Sequence, residues 1–145
     1  MDEAEARGTV HAAIHGLGHL SRRLFQLHAR VWQEIVDDEL TGPQFTVLGV
    51  LHLEGEMDQR TLGAHARLDK STAAPIVERL RQRGLLEAER DSVDKRRKVL
   101  RITPEGRALV VRTSPLAVEV GDRMLAPLLP EEQELLLSFL ERMTR

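Results

Sequence analysis

Residues 58–101 leave the chain little freedom in how it folds. Two short helical patterns meet there at a tight polar joint: Leu62 and Ala66 lie four apart on one face, and Ile76, Val77 and Leu80 share an inward face in the next segment. Asp58 can cap the first helix, and Asp69 or Ser71 the second. Pro75 is tolerable only near a first turn, where the lost N–H matters least, so the second helix is predicted to begin at Lys70 or Ser71. Gly84 is a good C-terminal stop. After it, residues 85–90 and 98–102 read as two strands joined by a charged loop.

A helix-turn-helix followed by a β-hairpin is a winged helix. Its charge indicates what it touches. Between residues 70 and 101, ten Lys or Arg stand against five acids, a local balance of +5; the whole chain carries −2, so the remainder carries −7. A near-neutral composition therefore conceals a polarised molecule, as expected when one face docks on a polyanion. The plainer alternative is a basic surface interleaved with acids for solubility. The excess, however, falls at the hairpin tip and the end of the second helix, where phosphates would lie.

The flanking segments are helical. The first eight residues are acidic and small and are expected to fray. From about residue 9 to residue 40, Ile14, Leu17, Leu20, Leu24, Leu27, Val31 and Ile35 recur at spacings of three and four. That stripe predicts one helix near thirty residues long, more than its own domain can cover, so part of it should face a partner. Gly16 and Gly18 weaken its first turns. Thr41, Pro43 and Gln44 form a capping-box start for the next helix, with Phe45, Leu48 and Leu51 inward. Thr103 and Pro104 open another, which Pro115 should kink or divide, and Pro130 opens the last.

At 145 residues the chain suits a single domain with its own core. Aromatics make up 3% of residues and Tyr is absent, which argues against a stacking platform for single strands. Without cysteine there is no disulfide, thiolate metal site or thiol sensor, and the composition fits a reducing compartment. No apolar run approaches the roughly 18 residues of a membrane span, and the N-terminus lacks a signal-peptide core, so a cytoplasmic protein is expected. No His-Glu-x-x-His, nucleophile elbow or phosphate loop is present, so neither an enzyme nor a cofactor is expected.

Element order, together with Leu62-Gly-x-x-Ala66 leading to Asp69-x-Ser-Thr72, Arg83-Gly84-Leu85 leading to Asp94-x-Arg96, and the Thr-Pro-Glu-Gly-Arg run that follows, resembles the MarR family of bacterial transcriptional regulators. The resemblance covers the chain from about residue 10. It implies a mainly α fold with a small β-hairpin, one MarR-like domain over 1–145. Within it, helices in 9–40 and 104–145 would dimerise, and a winged helix-turn-helix lobe in 41–103 would bind DNA. The implied function is that of a ligand-responsive repressor sitting as a homodimer on a palindromic double-stranded operator. Arg96 takes the position of the wing-tip arginine that enters the minor groove, and Asp94 that of the acid that holds the wing; an acid two residues away can orient a guanidinium by a bidentate pair. Ser71, Thr72 and Ala73, with Lys70 beside them, stand where base edges would be read. Arg79, Lys95, Arg97 and Lys98 are the expected phosphate contacts.

For an effector, a small aromatic compound is expected, with Arg23, His28, Trp32 and Thr46 as candidate contacts. A peroxide-sensing branch of the family needs a cysteine that this chain lacks. A urate-binding branch pairs a tryptophan with an acid on the second helix, where Thr46 stands here. His11, His15 and His19 repeat every four residues on one helical face, which would suit a zinc-sensing regulator, although polar residues in a dimer interface are the stronger reading. A winged helix whose basic hairpin meets an acidic protein is the remaining alternative.

Overall fold

The computed structural model describes residues 2–145. In chain order its elements are α1 (Glu3–His15), α2 (Leu17–Val36), α3 (Gly42–Glu54), β1 (Met57–Asp58), α4 (Gln59–His65), α5 (Lys70–Gln82), β2 (Leu86–Arg90), β3 (Lys98–Ile102), α6 (Pro104–Leu125) and α7 (Pro130–Met143). The winged helix-turn-helix thus stands where the sequence put it, with helices on either side. The three strands form one antiparallel sheet in the order β1-β3-β2.

Two expectations for the N-terminal region need correction. The single long helix is two, because Gly16 adopts an extended backbone (ψ −161) between α1 and α2. Gly16 and Gly18 give this stretch the weakest helical preference of the region. Met1 lies outside the described residues, and residues 3–8 are helical rather than frayed: the Asp2 side chain accepts the Glu5 N–H at 2.7 Å, and Glu3 and Glu5 sit at the positive end of α1. The apolar stripe still divides as its length implied. Val31 and Val36 are buried, whereas Ile14, Leu17, Leu20 and Leu24 are exposed.

At the start of α3 the capping box is complete: Thr41 Oγ1 accepts the Gln44 N–H (3.3 Å) and Gln44 Oε1 accepts the Thr41 N–H (3.1 Å). Leu48 and Leu51 then point into the lobe core with Leu62, Val77, Leu80, Leu86, Leu100, Leu109 and Val110. A second, smaller cluster holds Val31, Trp32, Val36 and Val120. α6 contributes to both clusters, and Phe45 packs against both. That shared packing explains why α6 runs undivided through Pro115: both halves are anchored, and Ser114 bonds back to the Val110 carbonyl at 2.8 Å.

The end of α5, the hairpin and the start of α6 close on one another. Gly84, at φ 71, turns the chain, while the Gly84 and Leu85 N–H groups return to the Arg81 and Leu80 carbonyls. Thr103 donates through its hydroxyl to the Gly84 carbonyl (2.7 Å) and caps α6 by accepting the Gly106 N–H (3.1 Å). Here α6 comes so near the hairpin that a Cβ on Gly106 would lie 2.0 Å from the Leu85 carbonyl oxygen. Because the obstacle is backbone, Gly106→Ala should lower unfolding stability by about 3 kcal/mol. Urea denaturation at fixed protein concentration checks this, and a loss of under about 1 kcal/mol would show that α6 can move off the hairpin.

Candidate nucleic-acid interface

Local chemistry sets the helix-turn-helix. Asp58 caps α4 by accepting the Thr61 N–H (2.8 Å), and Asp69, the one of the two candidate caps that is used, accepts the Thr72 N–H (2.7 Å) and the Ser71 hydroxyl (2.8 Å). Between them Arg67 takes a left-handed φ of 55, and the Leu68 N–H bonds to the Gly63 carbonyl at 2.8 Å. Gly63 permits this: a Cβ there would sit 3.1 Å from the Leu68 carbonyl oxygen. α5 packs on α3, α4 and β2.

Its buried positions are Ala73, Val77 and Leu80, and its exposed ones include Lys70, Ser71, Thr72 and Arg79. Ala73 therefore leaves the expected base contacts. It is 2% exposed, facing the interior of the helix-turn-helix rather than a groove. One helical turn separates Ala73 from Val77, so both must share the inward side.

The wing departs from expectation in two side chains. Asp94 does hold the loop, but through backbone: its Oδ1 accepts the Arg96 N–H (3.0 Å), and its carbonyl accepts the Arg97 N–H (3.0 Å). No Asp94–Arg96 side-chain pair forms among the described residues, so the Arg96 guanidinium has no carboxylate partner there. Arg97, expected on a phosphate, instead ion-pairs with Asp58. One carboxylate thus caps α4 and anchors the wing, and β1 beside it pairs with β3 (Asp58 opposite Val99). Asp58 was legible as a cap; its second oxygen, engaged 39 residues away, was not.

Other cations are also neutralised. Arg101 bonds to Glu56 (2.8 Å), with Glu87 and Glu89 farther off, and Arg81 forms a two-point pair with Glu78 on exposed helix surface. Lys70, Arg79, Arg90, Lys95, Arg96 and Lys98 have no carboxylate within ion-pair distance among the described residues. These six lie on α5, at the end of β2 and on the wing, where a phosphate-binding surface would need them, although arginines outside residues 70–101, such as Arg60 and Arg107, also have no carboxylate partner among the described residues.

Nearby carboxylates are held ionised. The Arg81 hydrogen bond, helped by Gln82, pulls the Glu78 carboxyl down to about 2. Asp58 lies below the ordinary carboxylate range chiefly through the Thr61 N–H, with Arg97 adding to it. Asp69 is lowered by the Ser71 hydroxyl and the Thr72 N–H.

Behind the lobe, where α2 meets α3, lies a cavity of about 210 Å³ lined by Phe25, His28, Ala29, Trp32, Gln33, Asp37, Asp38, Leu40, Thr41, Gly42 and Pro43. Of the four candidate effector contacts, His28 and Trp32 meet there, their rings 5.7 Å apart. Arg23 and Thr46 are not among its walls, and the Thr46 hydroxyl is spent on the Gly42 carbonyl (3.1 Å). The Trp32 indole N–H donates to the Leu40 carbonyl at 2.6 Å. The rings of His11, His15 and His19 do approach one another, tilted and then edge-on, with centroids 4.4 and 5.5 Å apart. Among the described residues, though, no three His, Cys, Asp or Glu side chains converge as metal ligands.

A helix-turn-helix with an exposed second helix, a basic wing and long flanking helices is the arrangement of a winged-helix regulator of the DNA-binding class. Comparison with known proteins agrees. A family model described as MarR family matches residues 39–97. The PcaV transcriptional regulator from Streptomyces coelicolor, solved with its natural ligand, is 41% identical with a TM-score of 0.85, over 92% of this chain and 94% of that one. BpsR of Bordetella bronchiseptica, whose DNA binding is regulated by 6-hydroxynicotinic acid, is 32% identical with a TM-score of 0.86, over 90% and 94%. The HTH-type transcriptional repressor NicR of Pseudomonas putida is 31% identical over 88% of this chain and 81% of that protein. The chain belongs to the MarR family.

The lowered carboxylates set a pH dependence. The unfolded chain takes up their protons at higher pH than the folded one does. Their contribution is therefore complete above the ordinary carboxylate range and is lost as pH falls through it toward about 2, the value reached by Glu78. Asp58→Asn combined with Asp69→Asn should lower the melting temperature at pH 7 by several degrees, and the gap from the parent should close as pH drops. Melting curves across that range test it; a gap that stays constant would mean the two caps act independently of charge.

Proposed function

We propose that the protein is a ligand-responsive transcriptional repressor that binds a palindromic DNA operator as a homodimer. The lobe in 41–103 carries the DNA contacts, and the helices in 9–40 and 104–145 pair with a second copy. The observation that carries this reading is the pairing pattern of the cations. Acids take Arg81, Arg97 and Arg101, while Lys70, Arg79, Lys95, Arg96 and Lys98 stay unpaired on α5 and the wing. Ser71 and Thr72 on exposed α5 read base edges in the major groove, Arg96 enters the flanking minor groove, and the remaining cations hold phosphates. Asp94 acts by shaping the turn that presents Arg96.

A second copy is supported by apolar surface that a lone chain leaves in water. α1 and α7 bury no residue, and Ile14, Leu17, Leu20 and Phe25, with Leu135, Leu137 and Phe139, are about half exposed or more. The effector reading rests on the His28–Trp32 cavity, whose aromatic walls suit a small aromatic compound, and on the likeness to PcaV and BpsR. Repression follows if the dimer occludes a promoter. No membrane partner is proposed, since no helix among the described residues is long and apolar enough to cross one. A cytoplasmic location fits, and the reading needs neither cofactor nor catalytic step.

Two measurements test it. With Lys70, Arg79, Lys95 and Lys98 of each protomer on phosphates, about eight contacts per dimer, log affinity should fall with log salt at a slope near −7. A flat salt response contradicts the phosphate assignment. Arg96→Ala should weaken operator binding by on the order of 1–3 kcal/mol and relax the preference for A·T pairs beside each half-site. Unchanged binding and preference would remove Arg96 from the interface.

A further inference from the structure

The link between α2 and α3, residues 37–41, is held at two consecutive carbonyls. Its Leu40 carbonyl accepts the Trp32 indole N–H on the cavity side at 2.6 Å. One peptide earlier, the Glu39 carbonyl accepts a guanidinium N–H of Arg83, the C-cap of the recognition helix α5, at 2.7 Å. Asp37, Asp38, Leu40 and Thr41 wall the cavity, but Glu39 does not; its carboxylate turns away to pair with Arg112 of α6. At the head of the link Asp37 holds a left-handed φ of 64, a conformation that a non-glycine residue keeps only under constraint.

We propose that residues 37–41 transmit occupancy of the Trp32 cavity to the recognition helix, with Arg83 as the positioning residue that couples them. Consecutive carbonyls leave little slack, since a peptide unit is rigid and planar. A group that pushes Trp32 aside drags or releases the Leu40 carbonyl. The neighbouring Glu39 carbonyl must follow, and the bond to Arg83 carries that shift into the end of α5. Arg112 fixes the Glu39 side chain to α6, so the link pivots there rather than drifting free. The inference rests on the effector reading above and specifies its route: the end of α5, through one hydrogen bond, rather than a change confined to the dimer helices.

The absence of cysteine makes a direct test possible. Ala29 lines the cavity, so Ala29→Cys, labelled with benzyl methanethiosulfonate, places an aromatic ring there without any need to know the natural effector. Operator affinity is compared before and after labelling in this chain and in Ala29→Cys combined with Arg83→Ala. Labelling should weaken binding about tenfold or more when Arg83 is present and less than about twofold when it is absent. Arg83→Lys, which keeps the charge but loses the fork, should restore part of the effect. Should the Arg83→Ala chain fail to fold, Arg83→Gln replaces it. Equal weakening with and without Arg83 overturns the coupling while sparing the cavity as an effector site. No weakening in either chain removes the cavity from regulation, and the coupling with it.

Discussion

The structure depends on α6 serving two cores at once. Leu109 and Val110 pack into the core cluster of the winged helix, and Val120, ten residues beyond Val110, belongs to the cluster built around Trp32. A helix anchored at both ends cannot tilt without disturbing both clusters, because close-packed interiors do not deform continuously. Gly106 fixes its near end by letting the helix touch the hairpin backbone, and Phe45 ties the two clusters together from α3. The lobe is therefore presented at a definite angle to the flanking helices.

Within that frame, acids engage some of the cations of the winged helix and leave others free. Arg97 and Arg101 serve as struts that hold the wing to β1 and the sheet. Arg83 is likewise committed, to a carbonyl of the link that walls the cavity. Lys70, Arg79, Lys95, Arg96 and Lys98, on α5 and the wing, have no carboxylate within ion-pair distance among the described residues. Counting charge along the sequence overstated the number of hands available to phosphate, because it could not see which were already occupied. The local excess of basic residues over acids in 70–101 remains the feature that would steer a polyanion.

What was legible in the sequence was what is local. Caps at Thr41, Asp58, Asp69 and Thr103 bond three residues ahead, so the chemistry lies within one turn of chain. The hairpin was legible as two short segments joined by a charged loop after the Gly84 stop, and the two helices of the lobe through apolar spacing. What escaped was long-range or marginal. β1 is two residues long and exists only because β3 lies beside it. The break at Gly16 is a choice between weakly favoured conformations, and a periodic apolar stripe runs straight across it. Ala73 was assigned by position in a motif, whereas its inward direction follows from packing against α4. Asp58–Arg97 and Glu39–Arg83 join residues far apart in sequence, and no spacing rule announces such pairs.

Hydroxyl-radical footprinting on a selected operator reaches the central claim most directly, namely that two lobes set by rigid α6 helices read one duplex together. The account predicts twofold-symmetric protection with half-sites centred about ten base pairs apart or a multiple of that, flanked on each outer side by minor-groove protection. A single asymmetric footprint covering one half-site, unchanged as protein concentration rises, would contradict it.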